Sequence, residues 1–351
     1  MTPGRLHVVL PDGYADPGRP SGGNGYDRRA CAGLAGLGWD VRVATVAGSW
    51  PAGDHDALTR VLTAIPDGET VLIDGLIASP SAAALLPHAH RLRLTVLLHM
   101  PLATAGPYEA GLLRSERVVL GAARGVVVTS AWTREQVLDR FALPAGRVHV
   151  ARPGVEPARL SPMGDGRRLL CVGAVAPHKC QDLLVDALAG LPDGAWECTF
   201  AGPLDRAPAY AARLRSRMDA LGLGARIHLP GTLTGAALDR AYASADLLVV
   251  PSRTETYGMV VTEALARGVP VLTSTAGGLP EALGHAPDGA RPGLLVPPDD
   301  PPALTAALAQ WLRDASLRHR LRTAAVARRP TLAGWDATAA ALAAALTLSG
   351  P

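Results

Sequence analysis

Short apolar runs, each closed by a polar or Gly-rich turn and followed by a helix-like segment, recur along the 351-residue chain and constrain its fold more than any other feature. The pattern is densest at residues 245–281. Ala245 to Val250 (ADLLVV) reads as a strand, Pro251 to Gly258 as a turn, and MVVTEALA from Met259 as a helix that stops at Arg267-Gly268. Val269 to Thr273 is a second buried run, and Ser274 to Glu281 (STAGGLPE) is a second Gly-rich turn. Strand, turn and helix in alternation build a parallel sheet, whose ligands sit beyond the carboxyl ends of the strands.

The grammar occurs twice. Leu6 to Leu10, Trp39 to Thr45, Glu69 to Asp74, Leu94 to His99, Arg124 to Thr129 and Arg147 to Ala151 read as strands of a first half. A turn-rich linker, Pro153 to Arg167, separates it from a second half that restarts at Arg168 to Val172. With 48% hydrophobic residues, a chain of this length fills two cores. The expected domains are residues 1–155 and residues 156–330, with a terminal helix within 331–351.

Several function classes are disfavoured. A net charge of +3, aromatic residues at only 4% and the lack of basic runs interleaved with aromatics speak against a nucleic-acid surface. No run reaches about 18 apolar residues, the length needed to cross a bilayer, and the N-terminus lacks a signal-peptide core. Cys31, Cys171, Cys180 and Cys198 show no metal-ligand spacing and read as small apolar residues of a reducing compartment. The expectation is a soluble cytoplasmic protein.

Glu255 falls in the turn after ADLLVV and Glu263 on the helix that follows, so both can approach one pocket above the helix N-terminus. The first free N–H groups there, near Gly258 and Met259, suit an anion. Carboxylates for sugar hydroxyls and for a ribose, with amides between them for phosphate, describe a nucleotide-sugar site. Glu263 sits among apolar neighbours, where an unpaired carboxylate is costly, so it needs a partner or a ligand. Lys179 is the single lysine of a chain that otherwise uses arginine, and it falls at a strand–turn–helix junction, where a compact ammonium suits a diphosphate oxygen. A solvent-facing turn lysine is the plainer alternative.

Other candidates carry two readings each. The loop Ser21 to Arg28 (SGGNGYDR) precedes a helix but does not match a dinucleotide fingerprint, and it is either a flexible turn or a close approach for a ligand. His99 ends a buried strand and either lines a cleft or is a satisfied core histidine. Asp54-His55-Asp56 matches a metal-holding DxD, yet it precedes a helix that Asp54 would cap. Arg313, Arg318, Arg320 and Arg322 form either a solvated helix face or an anionic-membrane contact.

Together these segments resemble family 4 of the retaining glycosyltransferases, with the GT-B architecture of two Rossmann-like domains facing a cleft. The resemblance rests on five motifs in order: Val172 to Leu184 around Lys179, Ala245 to Ser252, Glu255 with Glu263, STAGGLPE, and Gly293 to Asp300 (GLLVPPDD). It implies that Lys179 contacts the donor diphosphate, Glu263 the ribose, and Glu255 the transferred sugar, with Tyr257, Gly258, Met259 and Val260 along the donor. It further implies that Gly22 and Gly23 form a loop over the donor, that backbone near Leu229 meets the base, that His99 is the active-site histidine, that Asn24, Tyr26 and Met100 line the acceptor pocket built by loops at 23–28 and 100–108, and that the helix within 331–351 crosses back to the first domain. No metal or other cofactor is implied beyond the UDP- or GDP-sugar co-substrate. The chain departs from the family at Ala174, where an arginine often pairs with the lysine; Arg152, Arg253 and His178 are candidate substitutes. A nucleotide-sugar epimerase, a phosphorylase-like enzyme and a non-catalytic nucleotide-sugar binder are the rival readings.

Overall fold

The computed structural model describes residues 4–16, 18, 20–102, 110–192 and 196–348. They form two compact units, Met1–Gly154 with Ala333–Pro351, and Val155–Leu332.

In the first unit the strands are β1 (Arg5–Pro11), β2 (Asp40–Val46), a small antiparallel hairpin of β3 (Gly48–Ser49) and β4 (Ala52–Gly53), then β5 (Thr70–Asp74), β6 (Arg93–Leu98), β7 (Gly125–Val128) and β8 (Val148–Val150). Six of them make a parallel sheet ordered β2-β1-β5-β6-β7-β8. Both faces are covered, and the strands split their side chains with period two. Val9, Val71, Ile73, Val96 and Leu98 pack on one side. Leu6, Val8, Leu10, Leu72, Leu97 and Val127 pack on the other. Each such side chain, fully buried, contributes about 1.5–3 kcal/mol.

The helix Gly22–Gly36 corrects the reading of SGGNGYDR as a loop, and with it the placing of Gly22 and Gly23 in one. Ser21 is its N-cap, accepting the Asn24 N–H at 3.0 Å. Tyr26, Ala30 and Leu34, spaced by four, bury one stripe. That burial overrides the low helix propensity of five glycines in the segment. Between β5 and β6, Ala82–Leu85 is a short turn of helix and Leu86–His88 a 3₁₀ turn. Trp335–Leu348 lies on the first unit, with Leu342, Ala345 and Leu346 in the same core cluster as Tyr26 and Leu34.

In the second unit β9 (Arg168–Val172), β10 (Glu197–Ala201), β11 (Ile227–Gly231), β12 (Leu247–Val250), β13 (Val271–Ser274) and β14 (Gly293–Val296) form a parallel sheet ordered β11-β10-β9-β12-β13-β14. Leu169, Cys171, Leu247 and Val249 face one layer, and Leu170, Leu248, Val250 and Val271 face the other. Arginines on the last helix of this unit, Ala315–Arg328, are tied to backbone carbonyls of neighbouring segments. Arg318 donates to the Trp311 and Leu312 carbonyls at 2.8 and 2.9 Å, and Arg322 donates to those of Gly268 and Ser161. Of the four arginines read as a solvated or membrane-facing set, these two therefore point into the protein, while Arg313 and Arg320 are exposed. No single helix among the described residues is long and apolar enough to cross a membrane.

The Gly22–Gly36 and Trp335–Leu348 helices approach so closely that a Cβ on Gly33 would lie 2.6 Å from the Ala339 Cβ. Gly33→Val is expected to destabilise the first unit by about 1–3 kcal/mol through overpacking, measured by chemical denaturation. A variant as stable as the parent would contradict this packing.

Candidate functional site

In an open parallel sheet, the crevice for a ligand opens where neighbouring strands send their crossovers to opposite faces. In the second unit that point lies between β9 and β12, and both carboxyl ends carry the residues singled out above. The turn after β9 holds Lys179, and the turn after β12 holds Glu255. Although 76 residues apart, they form an ion pair, Lys179 Nζ to Glu255 Oε1, and Ser252 Oγ lies 3.4 Å from the same oxygen. Both side chains are largely buried, so their charges meet in a medium that screens them less than water does.

Three turns are fastened to one another here. Ser274 Oγ donates to the Ser252 carbonyl at 2.6 Å, Thr273 Oγ1 to that of Val250 at 3.1 Å, and the Gly278 N–H to that of Glu255 at 2.9 Å. Gly277 explains the double glycine of STAGGLPE. Its φ is +58°, and a Cβ there would fall 1.8 Å from the Glu255 carbonyl oxygen. The Glu255 turn is thus seated directly on the Gly277 backbone.

Gly258, with φ +95°, caps the helix Met259–Ala266 without any side-chain hydrogen bond; the Val261 N–H bonds the Gly258 carbonyl at 2.9 Å, which leaves those of Met259 and Val260 without an intrahelical partner shortly after Glu255 in the chain. Met259 and Val260 are half-buried there, whereas the Tyr257 side chain is buried in the apolar cluster with Leu279. Glu263 lies a turn further on. Tyr242 donates its hydroxyl to Glu263 Oε2 at 2.7 Å and Arg267 lies over the Tyr242 ring at 4.7 Å, which supplies the partner the sequence demanded. Burial and the Glu263 charge push the Tyr242 phenol well up, so it remains a donor. Leu229 is not gathered with these residues; it sits half-buried on the edge strand β11, two strands from the crevice.

The substitutes for the missing arginine fare unequally. Arg253 forks onto Asp299, with Nε 2.7 Å from both carboxylate oxygens, so its guanidinium is already engaged. His178 is exposed and accepts the Arg253 N–H on its carbonyl at 2.9 Å. Arg152 belongs to the other unit.

In the first unit the corresponding point lies between β1 and β5. His99 follows β6, Asp74 ends β5, and Asp27 stands on the helix after β1. His99 Nε2 lies 2.7 Å from Asp27 Oδ1, and the Asp27 carboxyl is itself against that of Asp74. The Leu76 N–H holds Asp74 Oδ1 at 2.6 Å. Burial would depress the histidine, but the two carboxylates outweigh it and push His99 up to about 9. Burial, with the Asp27 charge next, pushes Asp74 up to about 7. One ligand atom from each of the three lies within 4.8 Å of the others, a spacing that either a shared proton or a cation could bridge. Asp27 and Asp74 were not recognised from the sequence. The available signal was an acid closing the apolar strand TVLID beside a histidine closing LTVLLH.

One further expectation is corrected, that for Tyr26, and the cap reading of Asp54 holds. Tyr26 is 1% exposed, its hydroxyl donates to the Ala151 carbonyl at 3.0 Å, and its ring meets His99 edge-on at 5.1 Å; it packs the histidine and is not open to an acceptor. Asp54 accepts the Ala57 N–H at 2.8 Å, so the DxD-like triplet is a helix cap. Gly23, Asn24 and Met100 are half-buried near this cluster, with a Cβ on Gly23 reaching 3.5 Å from the imidazole, whereas Gly22 is exposed. Residues 103–109 of the expected acceptor loop lie outside the described residues.

Because both His99 and Asp74 have raised values in the folded chain, each favours folding in its protonated form. The His99 contribution is complete below its ordinary 6.5 and is lost as pH rises through about 9; that of Asp74 is complete below 3.8 and is lost through about 7. The melting temperature of the first unit is expected to fall from pH 6 to pH 9.5, and Asp74→Asn to flatten the pH 6–8 part. A wild-type profile flat across this range would contradict the cluster.

Residues 156–328 match the family model described as Glycosyl transferases group 1, and residues 71–159 match that described as Glycosyltransferase Family 4. The D-inositol 3-phosphate glycosyltransferase of Kineococcus radiotolerans is 32% identical over 259 residues, 67% of this chain and 59% of that protein. That of Thermobispora bispora is 34% identical over 256 residues, 68% and 59% respectively. The chain thus spans about 59% of the length of these relatives. Among solved structures, sucrose-phosphate synthase from Thermosynechococcus elongatus superposes with a TM-score of 0.77 at 24% identity, covering 96% of this chain and 97% of that one. HepE of Anabaena, in complex with UDP-glucose, superposes at 0.76 with 19% identity, covering 97% and 99%. At these identities the likeness speaks for the fold, two Rossmann-like parallel-sheet units of the GT-B class.

Proposed function

Because this chain belongs to the group 1 glycosyltransferases of family 4, we propose that it transfers a sugar from a nucleotide-sugar to an acceptor hydroxyl with retention of anomeric configuration. The observation that carries the reading is the meeting of Lys179 and Glu255 beside an uncapped helix N-terminus. A donor diphosphate would take Lys179 from Glu255, and the freed carboxylate would accept hydrogen bonds from hydroxyls of the transferred sugar. Amides at Gly258 and Met259 would share the phosphate charge. Glu263, oriented through Oε2 by Tyr242, would offer Oε1 to the ribose.

The chemistry asked of these groups is electrostatic. As the glycosidic bond to the diphosphate lengthens, negative charge gathers on the departing oxygen, and a fixed ammonium with helix amides stabilises it more in the transition state than in the ground state. No step of this scheme calls on a metal ion. The acceptor would enter from the leaving-group face, and His99 of the first unit would serve as the active-site histidine. The complex of HepE with UDP-glucose makes UDP-glucose the first donor to test, ahead of a GDP-sugar, and the name of the curated relatives makes D-inositol 3-phosphate the first acceptor.

Ala174 favours one second reading, a nucleotide-sugar binder without transferase activity, because the second cation of the phosphate clamp is absent and Arg253 is tied to Asp299. Turnover separates the two. With UDP-glucose and an acceptor panel headed by D-inositol 3-phosphate, UDP release is expected from the wild type, with kcat/KM reduced on the order of 10²–10³-fold in Lys179→Ala and in Glu255→Gln. Binding without release in the wild type would favour the second reading, and turnover undiminished in both variants would displace the site.

A further inference from the structure

We propose that Asp27 and Asp74 are positioning residues that fix the His99 imidazole through Nε2 and leave its Nδ1–H as a cationic hydrogen-bond donor for a substrate oxygen. The proposal deepens the reading above and rests on His99 being the active-site histidine. It makes His99 a donor throughout turnover and rules it out as a general base.

The geometry leads in that direction. Asp27 is 1% exposed and Asp74 5%, so neither carboxyl is solvated. Asp27 Oδ1 holds His99 Nε2 at 2.7 Å, while Asp27 Oδ2 is buried with no fixed N–H or O–H donor. A protonated Asp74 carboxyl, anchored through Oδ1 by the Leu76 N–H, supplies the missing donor. The order is then acid, carboxylate, imidazolium, with one net charge on the carboxylate to balance the ring. No hydrogen bond to Nδ1 is made among the described residues, and the His99 side chain retains 19% exposure, enough for a ligand atom to reach it.

The surroundings hold this arrangement. Tyr26 packs edge-on against the ring, and its hydroxyl is spent on Ala151. Tyr14 and Cys31, which also feel the Asp27 charge, are pushed up by burial and remain neutral; Arg28 donates to the Tyr14 carbonyl at 2.6 Å. Asp74 and Asp27 are therefore the charged groups that face His99. Their effect appears in the direction of its titration, up to about 9 against the pull of burial.

The test reads the imidazole nitrogens by ¹⁵N NMR on the full unliganded chain, with His99→Gln to assign the signals. Wild-type His99 is expected to stay doubly protonated to about pH 8 and to titrate near 9. In Asp27→Asn the titration is expected to fall by two units or more, and the alkaline limb of the kcat/KM profile to move down with it. Asp27→Glu, which retains the charge should the amide fail to fold, is expected to keep the high titration and lose kcat with little change in KM. A neutral His99 at pH 7 in the wild type, a titration unchanged in Asp27→Asn, or signals displaced by millimolar Mg²⁺ would each overturn the proposal. Since the NMR arm needs no turnover, a chain inactive with every donor yet showing the expected titrations would remove the transferase reading and leave the positioned imidazolium standing.

Discussion

Parallel strands covered on both faces leave no place for a charge along their length, so every polar function is driven to their ends. This constraint organises both units. β5, β6, β7, β12 and β13 are apolar almost throughout, and the chain turns polar where they stop: Asp74 closes β5, His99 follows β6, Ser252 and Glu255 follow β12, and Ser274 closes β13. The turns are then fixed by hydrogen bonds between adjacent strand ends, as Ser274 to Ser252 and Gly278 to Glu255 show. Position along the sheet and chemistry at the site have one origin.

The two units solve their electrostatics in opposite ways. In the second, unlike charges meet: Lys179 and Glu255 neutralise each other in a partly buried crevice, and under the proposed function a diphosphate would displace the carboxylate because it offers the ammonium more charge. The pair keeps the ammonium placed while the site is without donor. In the first unit, like charges are crowded, Asp27 against Asp74, and the burial that would make two carboxylates intolerable is relieved by a retained proton and an imidazolium. The first arrangement opens to a ligand, whereas the second stiffens a side chain.

Much of this is legible in the sequence, for reasons that differ by residue. The strands stand out because runs such as LLVV and TVLID are buried on both faces, and Lys179 stands out as one lysine against 33 arginines. Glu263 is marked by a carboxylate among apolar neighbours, and Glu255 by its place in the turn that closes a buried strand. What the sequence obscures are the pairings. Asp27 and His99 are 72 residues apart, and nothing local to SGGNGYDR announces that its acid bonds to the end of another strand. The same segment reads as a loop because glycine weakens a helix, while the opposing term, burial of Tyr26, Ala30 and Leu34 on a core partly built by the distant Trp335–Leu348 helix, exists only in the folded unit. Tyr26 is misassigned for the same reason, since its hydroxyl partner lies 125 residues away.

The most direct measurement is the affinity for UDP, the donor without its sugar, in wild type, Lys179→Ala and Glu255→Gln by titration calorimetry. If Lys179 exchanges Glu255 for the diphosphate, the loss of the ammonium should weaken binding by at least about tenfold, or 1.4 kcal/mol. Loss of the competing carboxylate charge should leave UDP binding equal or tighter. UDP bound by Lys179→Ala as well as by the wild type would contradict the exchange, and with it the assignment of this crevice to the donor.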